Sequence, residues 1–254
     1  MSLNKFSLCL IALVLANVTP ASAQWGSLKG KFVLDGAAPK PVALDVNKDV
    51  EVCGKHMLVN EELLVDAAGG IANVVVYVRT KGVQVNPGVA AAAAKPVVYD
   101  NKGCRFEPHI LGVMIGQAVT LRNSDPVGHN SNVQPIGDQG INPLIPSGGE
   151  IEHKFNRSQF VPVSVTCNIH PWMKGYILPR ENPYIAVSGK DGTFELKNLP
   201  VGELEFQAWH EKSGYLATPD WDKGRFKLTI AADDGETIGN TIGDKKIPAA
   251  LFSK

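Results

Sequence analysis

The 254-residue chain has no surplus of charge of either sign: Lys plus Arg and Asp plus Glu both number 25. That balance withholds the long-range attraction on which nucleic-acid or acidic-membrane binding draws. Beyond its N-terminus the chain lacks any apolar run near the roughly 20 residues that spanning a bilayer requires. It also lacks a Gly-Lys-Ser/Thr phosphate loop, a nucleophile elbow and a His-Glu-x-x-His helix. No catalytic residue is therefore assigned, and protein or small redox partners are expected. Long stretches of helical periodicity are missing as well. Disorder is not implied, since 44% of the residues are hydrophobic and only 20% charged, enough apolar material for one large or two modest cores.

The N-terminus does carry an apolar run, from Phe6 to Ala16, behind Lys5 and ahead of Ala21-Ser22-Ala23. This pattern fits a signal peptide over residues 1–23, cleaved before Gln24, and a periplasmic or secreted protein is expected. Cys9 would leave with that segment. Cys53, Cys104 and Cys167 would remain, an odd number for an oxidising compartment. A metal-bound Cys167 would resolve the count and leave Cys53 and Cys104 for a disulfide. The competing reading is two free buried cysteines.

From Trp25 onward, short β-rich runs are separated by Gly, Pro, Asn and Asp, which predicts an all-β protein. Expected strands include Ser27–Leu34, Asn73–Arg79, Pro96–Tyr99, Val113–Arg122, Val161–Thr166, Gly175–Pro179 and Glu203–Trp209. Ala90–Ala94, between Pro87-Gly88 and Pro96, is expected as a surface loop with one helical turn. Asn47–Leu64 is read as holding at most a helical turn.

The chemistry concentrates in Cys167-Asn168-Ile169-His170-Pro171-Trp172-Met173. A thiolate, an imidazole and a thioether form most of a copper ligand set, and a second imidazole would complete a His₂Cys trigonal site with Met as the weak axial ligand. His129, followed by Asn130, is the candidate. Pro171 limits the loop's backbone freedom, and Gly175 is expected to turn the chain back into the next strand. Pro171 and Trp172 suggest an apolar surface around an exposed edge of His170. Any one of Cys167, His170 and Met173 alone would read as an ordinary core or loop residue. Zinc is the weaker rival, since Met is a poor zinc ligand.

The run C-x-x-H-P-x-M resembles the short ligand loop of amicyanin-like cupredoxins, the type 1 blue copper family. Upstream, Gly116-Gln117-Ala118-Val119-Thr120-Leu121-Arg122-Asn123 followed by His129-Asn130 is similar to that family's Gly turn, strand, Asn and first ligand site. The resemblance implies a Greek-key sandwich over residues 96–181. One type 1 copper ion would be held by His129, Cys167, His170 and Met173, with Asn130 tying the two ligand-bearing loops together. Cys104 has no obvious counterpart in that pattern.

In the flanking sequence, Lys190-Asp191-Gly192-Thr193-Phe194-Glu195-Leu196 and Leu199-Pro200-Val201-Gly202 resemble a transthyretin-like or carboxypeptidase-regulatory-like sandwich. Residues 24–95 and 182–254 are expected to form it, interrupted by the copper block. A tandem of separate β-units is the competing layout.

The remaining histidines read as structural. His109 has no partner at recognisable spacing, His153 alternates with Ile151 and Phe155, and His56 stands beside Cys53. His210 and Glu211 would point to opposite faces of a strand. A second metal at His109 or His210 is left open. The chain lacks the His-x-His and His-Cys-His patterns of multicopper oxidases. An exported single-electron carrier is therefore expected rather than an enzyme. The alternative is a copper-containing module that recognises carbohydrate or protein through the flanking sandwich.

Overall fold

A computed structural model describes residues 25–234 and 239–253. The expected signal segment 1–23, with Cys9, lies outside them. The chain is all-β, and among the described residues helix is confined to Val50–Cys53, Pro87–Ala93 and three 3-10 turns.

Trp25–Asp35 alternates as a half-buried strand should, with Leu28, Phe32 and Leu34 inward and Lys29 and Asp35 in solvent. It lies between Thr193–Pro200, antiparallel, and Asn240–Pro248, parallel. A second sheet orders Ile185–Val187, Val75–Val78 and Gly202–His210 side by side, with Gly214–Tyr215 and Arg225–Ile230 also paired to Gly202–His210. Leu28 and Phe32 from the first sheet share one apolar core with Val76, Phe206 and Phe226 from the second.

Another pair of sheets is built from the middle of the chain. One runs Glu150–Lys154, Ala118–Asn123, Val97–Asn101 and Phe106–Glu107. The other runs Ile110–Met114, Lys174–Arg180, Val163–Thr166 and Asn132–Val133. Their shared core contains Tyr99, Leu121, Phe155, Val165 and Ile177, together with Cys167 and Met173. A third cluster, including Tyr77, Tyr176, Leu178 and Trp209, joins strands of the two sheet pairs.

Three local expectations are corrected. The single strand over Val113–Arg122 is two strands in different sheets, Ile110–Met114 and Ala118–Asn123. They are separated by a turn in which Gly116 takes φ +78° and Gln117 N–H donates to Met114 O. Gly175 does not turn the chain: it lies inside the strand Lys174–Arg180, where a Cβ would sit 2.2 Å from Tyr99 Oη. The Ala-rich run is a helix, Pro87–Ala93, capped by the Asn86 side chain accepting from Gly88 and Val89 N–H.

Residues 42–60 form a closed excursion. Its neck is held by Leu44 N–H to Leu58 O (2.9 Å) and Asn60 N–H to Val42 O (2.8 Å). Its body, with Leu44, Val46, Val52, Cys53 and Leu58, packs on the middle-chain core, and Cys53 and Cys104 form a disulfide.

Candidate metal centre

The ligand loop begins where Val163–Thr166 ends and closes on itself before Lys174–Arg180 begins. Met173 N–H donates to His170 O (2.9 Å), and Cys167 N–H donates to Met173 O (3.3 Å). His129 enters from Val127-Gly128 on a two-residue strand, His129–Asn130, paired with Leu144–Ile145.

These elements bring together a buried group of His129, Cys167 and His170 whose ligand atoms all lie within 4.8 Å of one another. Cys167 Sγ lies 3.9 Å from His129 Nδ1 and 3.7 Å from His170 Nδ1, and the two imidazoles are 4.6 Å apart between ring centroids. Met173 is buried in the same core as Cys167. Asn130 links the two loops, as its Oδ1 accepts from Asn168 N–H (2.8 Å) and Ile169 N–H (3.3 Å) and lies 3.4 Å from Cys167 Sγ.

Both imidazoles present Nδ1 to the sulfur because Nε2 is engaged elsewhere. His129 Nε2 bonds Asp125 Oδ2 at 3.0 Å, and His170 Nε2 bonds Asp49 Oδ2 at 2.7 Å. Asp125 is itself held by Gly103 N–H (2.6 Å) and Cys104 N–H (2.8 Å). Sequence reasoning assigned no role to either aspartate. The spacing of four from Asp125 to His129 was a usable signal, whereas Asp49 lies 121 positions from His170 and gave none.

His170 also departs from expectation. Its ring is 0% exposed: Asp49 covers Nε2, and Trp172 lies 5.1 Å away between ring centroids. The apolar surface expected around an exposed His170 edge is absent at that edge, because the 42–60 excursion lies over it.

The electrostatics follow the contacts. Burial pushes the Cys167 thiol up, but hydrogen bonding from His129 and from the backbone of Asn130, His170 and Ile169 outweighs it, leaving the pKa below the ordinary value. Burial pushes His129 down, but the Asp125 and Cys167 contacts raise it to about 9. For His170 burial prevails over the Asp49 bond, and the pKa is lowered.

A second grouping, Cys104 with Asp125 and His129, likewise has its ligand atoms within 4.8 Å of one another. Its sulfur is committed to the disulfide with Cys53 and offers no thiolate.

Away from this centre, His109 has partners that sequence spacing could not reveal. Nε2 bonds Glu211, and Nδ1 lies 3.5 Å from Glu61. His210 is buried against the Phe252 ring at 5.2 Å between centroids.

No family model and no curated protein matches the chain. Among solved structures, a Cu-containing nitrite reductase (NirK) from Thermus scotoductus SA-01 is 23% identical, with TM-score 0.32 over 41% of this chain and 25% of that one. A purple cupredoxin from Nitrosopumilus maritimus is 24% identical, with TM-score 0.28 over 34% of this chain and 99% of that one. A reduced Cu(I) form of an amicyanin mutant is 20% identical, with TM-score 0.31 over 41% of this chain and 98% of that one. The chain thus spans about a quarter of the nitrite reductase it matches, and close to the whole of the two small cupredoxins.

Proposed function

We propose that this protein is an exported mononuclear type 1 copper protein that carries single electrons between redox partners. The observation that carries the reading is the buried Cys167 sulfur with the Nδ1 atoms of His129 and His170 facing it. One thiolate and two imidazoles are the trigonal donor set that copper takes in such sites. Met173, buried in the same core as Cys167, would be the fourth ligand. Bound copper would supply one-electron chemistry between Cu(II) and Cu(I).

The protein's own part is to keep the donors in place and dry. The tight 167–173 loop is held by its own backbone bonds and by Asn130, so the ligands need not rearrange when the charge of the site changes. Burial of all three donors excludes water from the site. The lowered Cys167 pKa favours the thiolate, the form that binds metal.

A carrier is favoured over an enzyme by the sequence, which offers none of the additional histidine pairs that a catalytic copper cluster would use. The proposed layout is a copper-binding sandwich over residues 96–181 inserted in a second sandwich from 24–95 and 182–254. Its support is the core shared by Leu28, Val76, Phe206 and Ile247, from both flanks. Among the described residues no helix is long and apolar enough to cross a membrane. Export, periplasmic or secreted, is proposed from the N-terminal sequence alone.

Purified protein titrated with Cu(II) should turn deep blue at one equivalent, and Cys167→Ala should abolish the colour. A colourless complex that binds copper equally well after that substitution would contradict the assignment.

A further inference from the structure

Asp49 precedes the short helix Val50–Cys53 at its N-cap position, where an aspartate ordinarily turns its carboxylate onto the helix's free N–H groups. Here it makes no such bond. Its Oδ2 is directed across 121 positions of sequence to His170 Nε2 at 2.7 Å. The residue holds φ +47°, a region that costs a non-glycine residue free energy unless the surroundings enforce it. Both observations have the local structure yielding to the contact with His170.

Asp125 does the same for His129 with a different support. It is buried, its carboxylate accepts from Gly103 and Cys104 N–H, its own backbone N–H donates to Asn123 Oδ1, and its Oδ2 bonds His129 Nε2. The two aspartates are connected, Asp49 by its backbone carbonyl and Asp125 by its carboxylate. Cys53 N–H donates to Asp49 O (2.9 Å), Cys104 N–H donates to Asp125 Oδ2 (2.8 Å), and Cys53 and Cys104 are bonded to each other. A third tie reaches the ligand loop, where Trp172 Nε1–H donates to Cys104 O at 3.2 Å. One covalent bond therefore joins the holders of both imidazoles. This also accounts for Cys104, which the cupredoxin pattern left without a counterpart.

We propose that Asp49 and Asp125 are positioning residues which, joined through the Cys53–Cys104 disulfide, hold the imidazoles of His170 and His129 with Nδ1 toward Cys167. The proposal rests on the copper reading above. A carboxylate accepting the distal N–H of a ligand histidine fixes its ring orientation and raises its basicity, and loss of such a partner costs about 10- to 100-fold in metal affinity. The added negative charge near the site favours Cu(II), so removing it should raise the reduction potential.

The test compares the full chain with Asp49→Asn and Asp125→Asn, loaded with copper. Each variant should keep its blue colour, bind copper about 10- to 100-fold more weakly and show a higher potential. Because loss of a nearby negative charge raises the potential by itself, the copper affinity and the His170 Nε2–H signal carry the positioning role. Asp49→Asn leaves the disulfide and the buried Asp125 network intact, so that variant decides the matter if Asp125→Asn folds poorly. A metal-free readout separates this proposal from the reading beneath it: proton NMR of the apo protein should show a protected Nε2–H signal for His170 that Asp49→Ala removes. Blue variants with wild-type affinity and potential would overturn the positioning role and leave the copper site standing. A wild-type protein without Cys167-dependent colour would overturn the copper reading, even with the Nε2–H signal present.

Discussion

His109 and His170 are both held by carboxylates, yet their environments drive them in opposite directions. His170 has one carboxylate, Asp49, and a second imidazole nearby, and burial leaves its pKa lowered. His109 is also penalised by burial, but two carboxylates, Glu211 and Glu61, more than compensate and raise its pKa to about 9. A histidine bound more tightly as a cation in the folded state contributes stability that is fully present below its unfolded pKa near 6.5 and lost as pH rises through 9. The folded protein should therefore lose up to about 3 kcal/mol between pH 6.5 and 9. Denaturant melts across that range should fall for the wild type and lie flatter for His109→Gln. Equal slopes would show that His109 carries no such linkage. His210 acts on the acid side, where burial lowers its pKa to about 4 and stability is lost as pH falls below 6.5.

At the scale of elements, the ligand loop could be read closely from sequence because its chemistry is local: Cys167, His170 and Met173 lie within one turn of chain and bond one another through the backbone. The 42–60 excursion was not legible in the same way. Only its disulfide was indicated, by the cysteine count; its neck and its contact with His170 are long-range, and its local pattern, interrupted by Gly54, favours no regular element. The strand Asn240–Pro248 escaped for a related reason: it is a sheet edge with Asp244, Lys245 and Lys246 in sequence, so its pairing with Trp25–Asp35 leaves little hydrophobic alternation to see. The disulfide closes a sequence separation of 51 residues. On the chain-entropy model its loss should destabilise the fold by about 4 kcal/mol. Calorimetry of Cys53→Ser/Cys104→Ser against the wild type measures this, and an unchanged melting temperature would contradict it.

Across the whole molecule, the all-β class followed from composition and punctuation, since no helical periodicity competed with the short strands. The pairing of distant segments was only partly open to sequence. The core that Leu28 and Phe32 share with Phe206 and Ile247 joins the two ends of the chain. The cluster of Tyr77, Tyr176 and Trp209 that ties this core's sheets to those of the middle segment has no sequence signature, because each residue alone is an ordinary strand aromatic. The excursion carries Asp49 and Cys53 from the N-terminal flank onto the middle-chain core, so the proposed copper site would be finished by residues from outside the 96–181 block.

Copper binding through Cys167 and two imidazoles is what this folded chain is proposed to do. X-ray absorption at the copper edge on the singly loaded full chain tests it most directly. The spectrum should show one close sulfur and two imidazole nitrogens around the metal, with the sulfur missing in Cys167→Ala. A shell of nitrogen and oxygen alone in the wild type would contradict it.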